Sequence, residues 1–234
     1  MRIFYTINDI SSIGQEVIGL ANGKFVPTGK EYFERIGKGE IIYDAPVFDY
    51  FFLESFDRLR PETWEWKLQD IHGFIEEYPT GGGIFFISDY FKQLLEQFNL
   101  AHPYHFYPSK LKYKSQKLDY HLFKLSSDLD KNVLFEKCVF DLEHRINETK
   151  HGIYKGSIKN FKEFEEQDEA LRRPEKLKLI PKTIVLKYNY DLIALFGTGG
   201  GVIISERLKQ AIEKAKIEGL EVKPTNYEVI MPEE

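Results

Sequence analysis

Hydrophobic and polar positions follow one pattern twice along this chain. Residues 80–98 read TGGGIFFISDYFKQLLEQF, and residues 198–215 read TGGGVIISERLKQAIEKA. In each copy three glycines open turn conformations closed to other residues. A run of β-branched and aromatic residues follows, Ile84 to Ile87 or Val202 to Ile204, and fits a short buried strand. Ser88 or Ser205 then stands where a helix N-cap belongs, and the acid after it, Asp89 or Glu206, favours the positive end of the helix dipole. Apolar residues recur at i, i+3, i+4 and i+7, namely Phe91, Leu94, Leu95 and Phe98, or Leu208, Ala211, Ile212 and Ala215. They form one stripe toward a core, with Lys92 and Glu96, or Lys209 and Glu213, facing water. A further strand closes each copy, HFYP ending at Pro108 and EVKP ending at Pro224. The predicted unit is therefore glycine turn, strand, capped helix, strand. The serines are 117 positions apart and the glycine runs 118, so one copy carries an extra residue in the strand between.

Outside the copies the pattern is less regular. Residues 1–60 are short mixed segments broken by glycine and proline, which predicts strands and loops. PETWEWK from Pro61 echoes PKTIVLK from Pro181, suggesting that the repeat extends upstream to a preceding strand. HFYPSKLKY, a turn at KSQK and LDYHLFKLS predict a β-hairpin. KCVFDLEHR predicts another strand, and residues 160–173, NFKEFEEQDEALRR, a peripheral helix stopped by Pro174. The fold class expected is α+β: two pseudo-equivalent strand-helix-strand units, at about 80–125 and 198–230, with mainly antiparallel sheets and few helices. An N-terminal segment, 1–60, precedes a duplicated domain, 61–234, the two forming one compact unit.

Composition narrows the class. The chain has 234 residues, 42% hydrophobic and 29% charged, which suits a globular protein with a sizeable core. A net charge of -5 with a pI near 5.8 argues against a nucleic-acid partner, which usually meets a basic face. Cys138 is the one cysteine and has no intramolecular partner. No signal-peptide pattern and no long apolar run is present, so a cytoplasmic protein without membrane insertion is expected.

Candidate chemistry competes with bland alternatives at each position. Gly81, Gly82 and Gly83, like Gly199, Gly200 and Gly201, precede a strand rather than a helix, so a structural turn is favoured over a phosphate cradle. His102, His105 and His121 are the densest histidine group, but no cysteine or HExxH spacing joins them, and no metal or other cofactor is expected. Asp141, Glu143 and His144 offer two carboxylates and an imidazole for a metal-dependent hydrolase or nuclease. On a strand, however, Asp141 and Glu143 share one face and His144 points to the other. No GxSxG elbow occurs, and Ser88 and Ser205 are better used as caps. The acidic run Glu163, Glu165, Glu166, Asp168 and Glu169 is either a solvated helix face or a docking surface for a basic partner.

The motif S-[DE]-x-[FL]-K-x-x-[LI]-E after a glycine-preceded strand, the hairpin ending in YHLFKL, the VFDLE element and ISERLKQAIEKAKIEGLEVKP over Ile204–Pro224 resemble one bacterial family. It is the immunity proteins of polymorphic toxin systems, in the branch numbered eleven and formerly described as a domain of unknown function. The resemblance covers roughly residues 60–225 and is most specific over Ile204–Pro224, including Gly219 ahead of the last strand. After VFDLE that family often continues to a serine, where this chain has His144 and Arg145. The resemblance implies a non-catalytic protein that binds and neutralises a cognate toxin of a polymorphic, contact-dependent or type VI secretion system. It implies that the quoted residues are scaffold and leaves the toxin-binding surface unassigned. A toxin acting on nucleic acids or nucleotides in the cytoplasm, with a basic surface, fits a mildly acidic inhibitor. The competing reading is a hydrolase built on Asp141, Glu143 and histidines from elsewhere.

Overall fold

In the computed structural model, residues 4–9, 15–18, 31, 35, 40–43, 51–55, 68–72, 74–75, 83–113 and 116–232 are described. The strands are β1 (Phe4–Asp9), β2 (Gln15–Ile18), β3 (Phe51–Ser55), β4 (Ile71–His72), β5 (Phe74–Ile75), β6 (Ile84–Ser88), β7 (Tyr104–Tyr113) and β8 (Gln116–Leu125). They continue as β9 (Val139–His144), β10 (Lys150–Ile153), β11 (Leu177–Val185), β12 (Leu192–Ala194), β13 (Val202–Ser205), β14 (Leu220–Pro224) and β15 (Glu228–Ile230). The helices are α1 (Asp89–Leu95), α2 (Leu129–Asn132), α3 (Phe161–Arg172) and α4 (Glu206–Ala215). With mostly antiparallel pairing and few helices, the class is α+β as the pattern predicts.

Among the described residues three sheets form, in the orders β12-β13-β1-β14, β10-β9-β11-β15 and β4-β6-β8-β7-β3-β2-β5. The two repeat units are the same four-strand arrangement. β6 runs through α1 to β7, and β13 through α4 to β14, but the two strands of each pair are not neighbours: β8 lies between the first two and β1 between the second two, antiparallel to both flanks. Each unit is thus a βαβ crossover split by an inserted strand. In the first unit the insert is the second arm of the β7–β8 hairpin. In the second it comes from the opposite end of the sequence. β1, from the N-terminal segment, is thus a strand of the second unit's sheet.

β6, β12 and β13 are buried on both faces, and alternate residues of β12 and β13 face different cores. Phe85 and Ile87 of β6, Val202 and Ile204 of β13, Phe91 and Leu95 of α1, and Leu208 and Ile212 of α4 share one core between the two units. The opposite face of β12 and β13, Ile193 and Ile203, packs with Phe4 into a second core against Phe140 and Leu179 of the β9–β11 sheet and Phe164 of α3. Two details depart from the sequence reading. β7 does not end at Pro108 but continues to Tyr113. Pro108 pairs with His121 of β8, and among the described residues β3 joins the other side of β7 at Leu111 and Lys112. α1 stops at Leu95, a turn before Phe98, because the next residues turn toward the other unit.

Candidate functional site

The serine of each repeat unit sits in a clasp that joins the two units. Ser88 and Ser205 are the N-caps of α1 and α4, their Oγ atoms accepting from Phe91 N at 3.1 Å and Leu208 N at 3.2 Å. Each hydroxyl also donates to an aspartate in its own unit, Ser88 to Asp70 Oδ1 and Ser205 to Asp191 Oδ1, both at 2.7 Å. The other carboxylate oxygen reaches across to the opposite unit. Asp191 Oδ2 accepts from Asn99 N at 2.9 Å, just after α1, and Asp70 Oδ2 accepts from Glu218 N at 3.0 Å, just after α4. Backbone bonds repeat the exchange: Asp191 N donates to Asn99 O at 2.7 Å and Asp70 N to Glu218 O at 3.1 Å. The result is a pair of reciprocal clasps related by a pseudo-two-fold.

Sequence reasoning placed the serines but missed their partners. Asp70-Ile71 and Asp191-Leu192 are 121 positions apart, whereas the serines are 117 apart, so a single offset does not align both. PETWEWK, the proposed upstream echo, lies outside the described residues. Asn99 and Glu218 take part through backbone atoms, which leave no sequence signal.

The clasps differ in charge. Asp191 is 7% exposed, and Arg207 binds both its carboxylate oxygens through Nε and Nη2, with the guanidinium stacked 4.8 Å from the centroid of the Phe98 ring. Burial alone would raise the Asp191 pKa, but hydrogen bonds from Arg207, Asn99 N–H and Ser205 outweigh it and hold the carboxyl below its usual value. The first unit has Tyr90 where the second has Arg207. The acids that open the helices also have matched partners. His121 Nε2 lies 2.9 Å from Asp89 Oδ1, and the Tyr5 hydroxyl bonds Glu206. Since Ile87 pairs with His121 and Ile204 with Tyr5, these donors occupy equivalent places. Both carboxyl pKa values are lowered, chiefly by those bonds. Lys92 and Lys209 are less solvated than predicted, at 22% and 21% side-chain exposure, because their amines lie 5.6 Å and 4.8 Å from the ring centroids of Phe106 and Tyr5.

The glycines are turn residues where they are described. Gly83 and Gly201 have φ of 73° and 70°, and a Cβ on Gly83 would stand 2.3 Å from Leu125 O. Gly199 has φ 78° and ends a 3-10 turn, and Gly200 accepts from the Tyr227 hydroxyl. Gly81 and Gly82 lie outside the described residues. Gly219 combines φ 97° with a close approach, since its Cβ would lie 2.2 Å from Ile71 O in the clasp.

The remaining candidates are dispersed. His105 packs edge-on to Tyr107, His102 stacks on Tyr104, and His121 faces the opposite side of the β7–β8 ladder from His105. Among the described residues no three His, Cys, Asp or Glu side chains are grouped to hold a metal ion. Asp141 and Glu143 do share a face of β9, where lysines match them: Lys178 Nζ at 2.9 Å from Glu143, and Lys150 and Lys182 each 3.9 Å from Asp141. Cys138 is half-buried, and burial pushes its thiol up to about 11, against a smaller opposing effect of the Val185 N–H.

In the acidic helix, Glu163 accepts from Lys159 N at 2.8 Å, and its own N–H is capped by Asn160. Asp168 accepts from Leu179 N at 2.8 Å, while Glu166 and Glu169 face Lys162 and Arg172. Of the five, Glu165 alone has no such contact among the described residues. A recess of about 170 Å³ beside Phe135, Glu136, Lys159 and Lys187 is below the ~300 Å³ at which small-molecule sites begin. No helix of the described residues is long and apolar enough to cross a membrane. No protein-family model and no curated protein matches this chain.

Proposed function

We propose that this chain is an immunity protein, which binds the cognate toxin of a bacterial polymorphic, contact-dependent or type VI secretion system and has no catalysis of its own. The supporting observation is how the residues behind the family resemblance are used. Ser205, Leu208, Ile212 and Gly219 are a cap, a buried stripe and a close-packed turn, and both Ser88 and Ser205 are committed at donor and acceptor to the clasps. A duplicated scaffold with its reactive groups turned inward suits a protein that works through its surface. The hydrolase reading loses support because Asp141 and Glu143 face lysine ammoniums rather than histidines. The chain acts in the cytoplasm on this reading, with no nucleic-acid partner.

The test is co-expression with the toxin domain encoded beside this gene. Growth should be restored, and the two proteins should co-purify in a fixed ratio. Measurable hydrolysis by the isolated chain that disappears in Asp141→Ala, together with failure to protect cells, would sink the proposal.

A further inference from the structure

We infer that the outward face of the β10-β9-β11-β15 sheet is the docking surface, and that it fits a protein partner that sets acidic side chains beside apolar ones. This rests on the reading that the chain works by binding a protein. Alternation fixes which residues point outward. Phe140 and Leu179 face the core, so Val139, Asp141 and Glu143 of β9 and Lys178 and Ile180 of β11 face the other way. The register places Ile153 on one side of Asp141 and Ile180 on the other, and puts Ile230 beside Val185. Val139, Ile180 and Val185 belong to neither core.

Two observations mark this face. The first is apolar exposure: Ile146, Ile153 and Ile230, at 76%, 49% and 42%, are the large aliphatic side chains exposed among the described residues, and all belong to this sheet or its β9–β10 hairpin. The other large exposed apolar residues are aromatic and lie elsewhere in the sequence. Exposed aliphatics gathered on one sheet, where the rest of the described surface lacks them, point to an interaction surface. The second is the layering of charge. The side chains of Asp141 and Glu143 are 12% and 14% exposed, while Lys150 and Lys182 above them are 62% and 48% exposed. The carboxylates are tucked into the sheet and the ammoniums stand outward, giving a locally positive layer on a chain of net charge -5. Glu228, at the β15 margin, is the remaining acid on this face.

The contacts of Lys150 and Lys182 to Asp141 are 3.9 Å long, beyond hydrogen-bond reach, so each ammonium retains donors for an incoming carboxylate. Exposed apolar side chains on the edge strands, beside ammoniums that keep free donors, suit a protein interface that combines apolar and polar contacts. The partner expected is thus opposite in sign to the basic one that total charge suggests. Overall charge governs long-range approach, whereas docking follows the local face.

Two measurements on the full chain test this. In the first, a short peptide alternating glutamate and leucine, and its lysine–leucine counterpart, are titrated into the labelled protein and followed by amide chemical shifts. Saturable shifts from the acidic peptide alone, confined to residues 139–143, 150–153, 178–183 and 228–230, are expected. The Lys150→Glu/Lys182→Glu variant should weaken them by about tenfold. Equal binding of the lysine peptide, shifts centred elsewhere or no saturable shift would overturn the assignment. In the second, hydrogen exchange is compared with and without an inactivated toxin domain from the adjacent gene. Protection on these strands, with association weakened by Ile153→Asp, supports the surface. Protection centred on α3 overturns it while leaving the immunity reading intact. Acidic-peptide binding at the face without any toxin binding would instead remove the immunity reading and leave the surface standing. Both variants change exposed residues, and unchanged thermal unfolding will verify their fold.

Discussion

Asp191 is the residue on which most of the second clasp depends. One carboxylate receives the Ser205 hydroxyl, the Asn99 N–H and both arms of Arg207. Asp191→Ala leaves the buried Ser205 hydroxyl, the part-buried Asn99 N–H and a guanidinium without their acceptor. Donors orphaned in this way cost about 1–3 kcal/mol each when fully buried, so a loss of ~2–4 kcal/mol in urea unfolding is expected. Asp70→Ala, in the clasp without an arginine, should cost about half as much. The lowered pKa values of Asp191, Asp89, Asp128 and Glu206 contribute to the pH dependence. A carboxyl whose folded pKa lies below its unfolded one contributes stability that is complete above the unfolded value. That stability disappears as pH falls through the folded value. Unfolding free energy should therefore hold down to about pH 5 and then fall steeply below about pH 4, with a shallower fall in Asp191→Asn. An unchanged acid limb in that variant would show that Asp191 is not among the groups responsible.

At the scale of elements, β1 is the strand whose placement the sequence hides. Local patterning made it one short segment among several in residues 1–60, because its partners β13 and β14 lie near the other end of the chain. The serine caps, the α3 helix ending before Pro174 and the β7–β8 hairpin were legible, since each depends on neighbours within a few residues. The insertion of β1 between β13 and β14 depends on contacts about two hundred residues apart, and no local rule reports those. The clasps were invisible for the same reason, with half their atoms in the backbone. Thr6 pairs with Ile203 on one side and Lys223 on the other. Thr6→Pro therefore removes an N–H from a strand laddered on both flanks, at a cost of about 3 kcal/mol or more. Amide exchange in β13 and β14 should accelerate far more than in β6 and β8. Uniform acceleration throughout the molecule would mean that β1 does not specifically complete the C-terminal unit.

For the whole molecule, the reciprocal clasps decide whether two similar units behave as one. Each unit supplies an aspartate that holds the loop after the other unit's helix, and α1 and α4 bury Phe91, Leu95, Leu208 and Ile212 in a common core. Neither unit has a complete apolar interior alone, so opening one exposes the other. A single cooperative unfolding transition is expected, with near-ultraviolet and far-ultraviolet signals coincident. The clasps contribute through that shared interface, and their energies should not simply add. Once one clasp is lost, the units are already displaced and the second is strained. Asp70→Ala/Asp191→Ala should accordingly depart from the sum of the single losses by about 0.5 kcal/mol or more, the size of coupling found between residues in one network. Strict additivity, or two resolved transitions in the native chain, would show that the units are held independently and that the pseudo-two-fold is only a record of shape. Coupling in the double variant would instead establish the duplicated scaffold as one rigid body, able to present the β10-β9-β11-β15 face without an internal hinge.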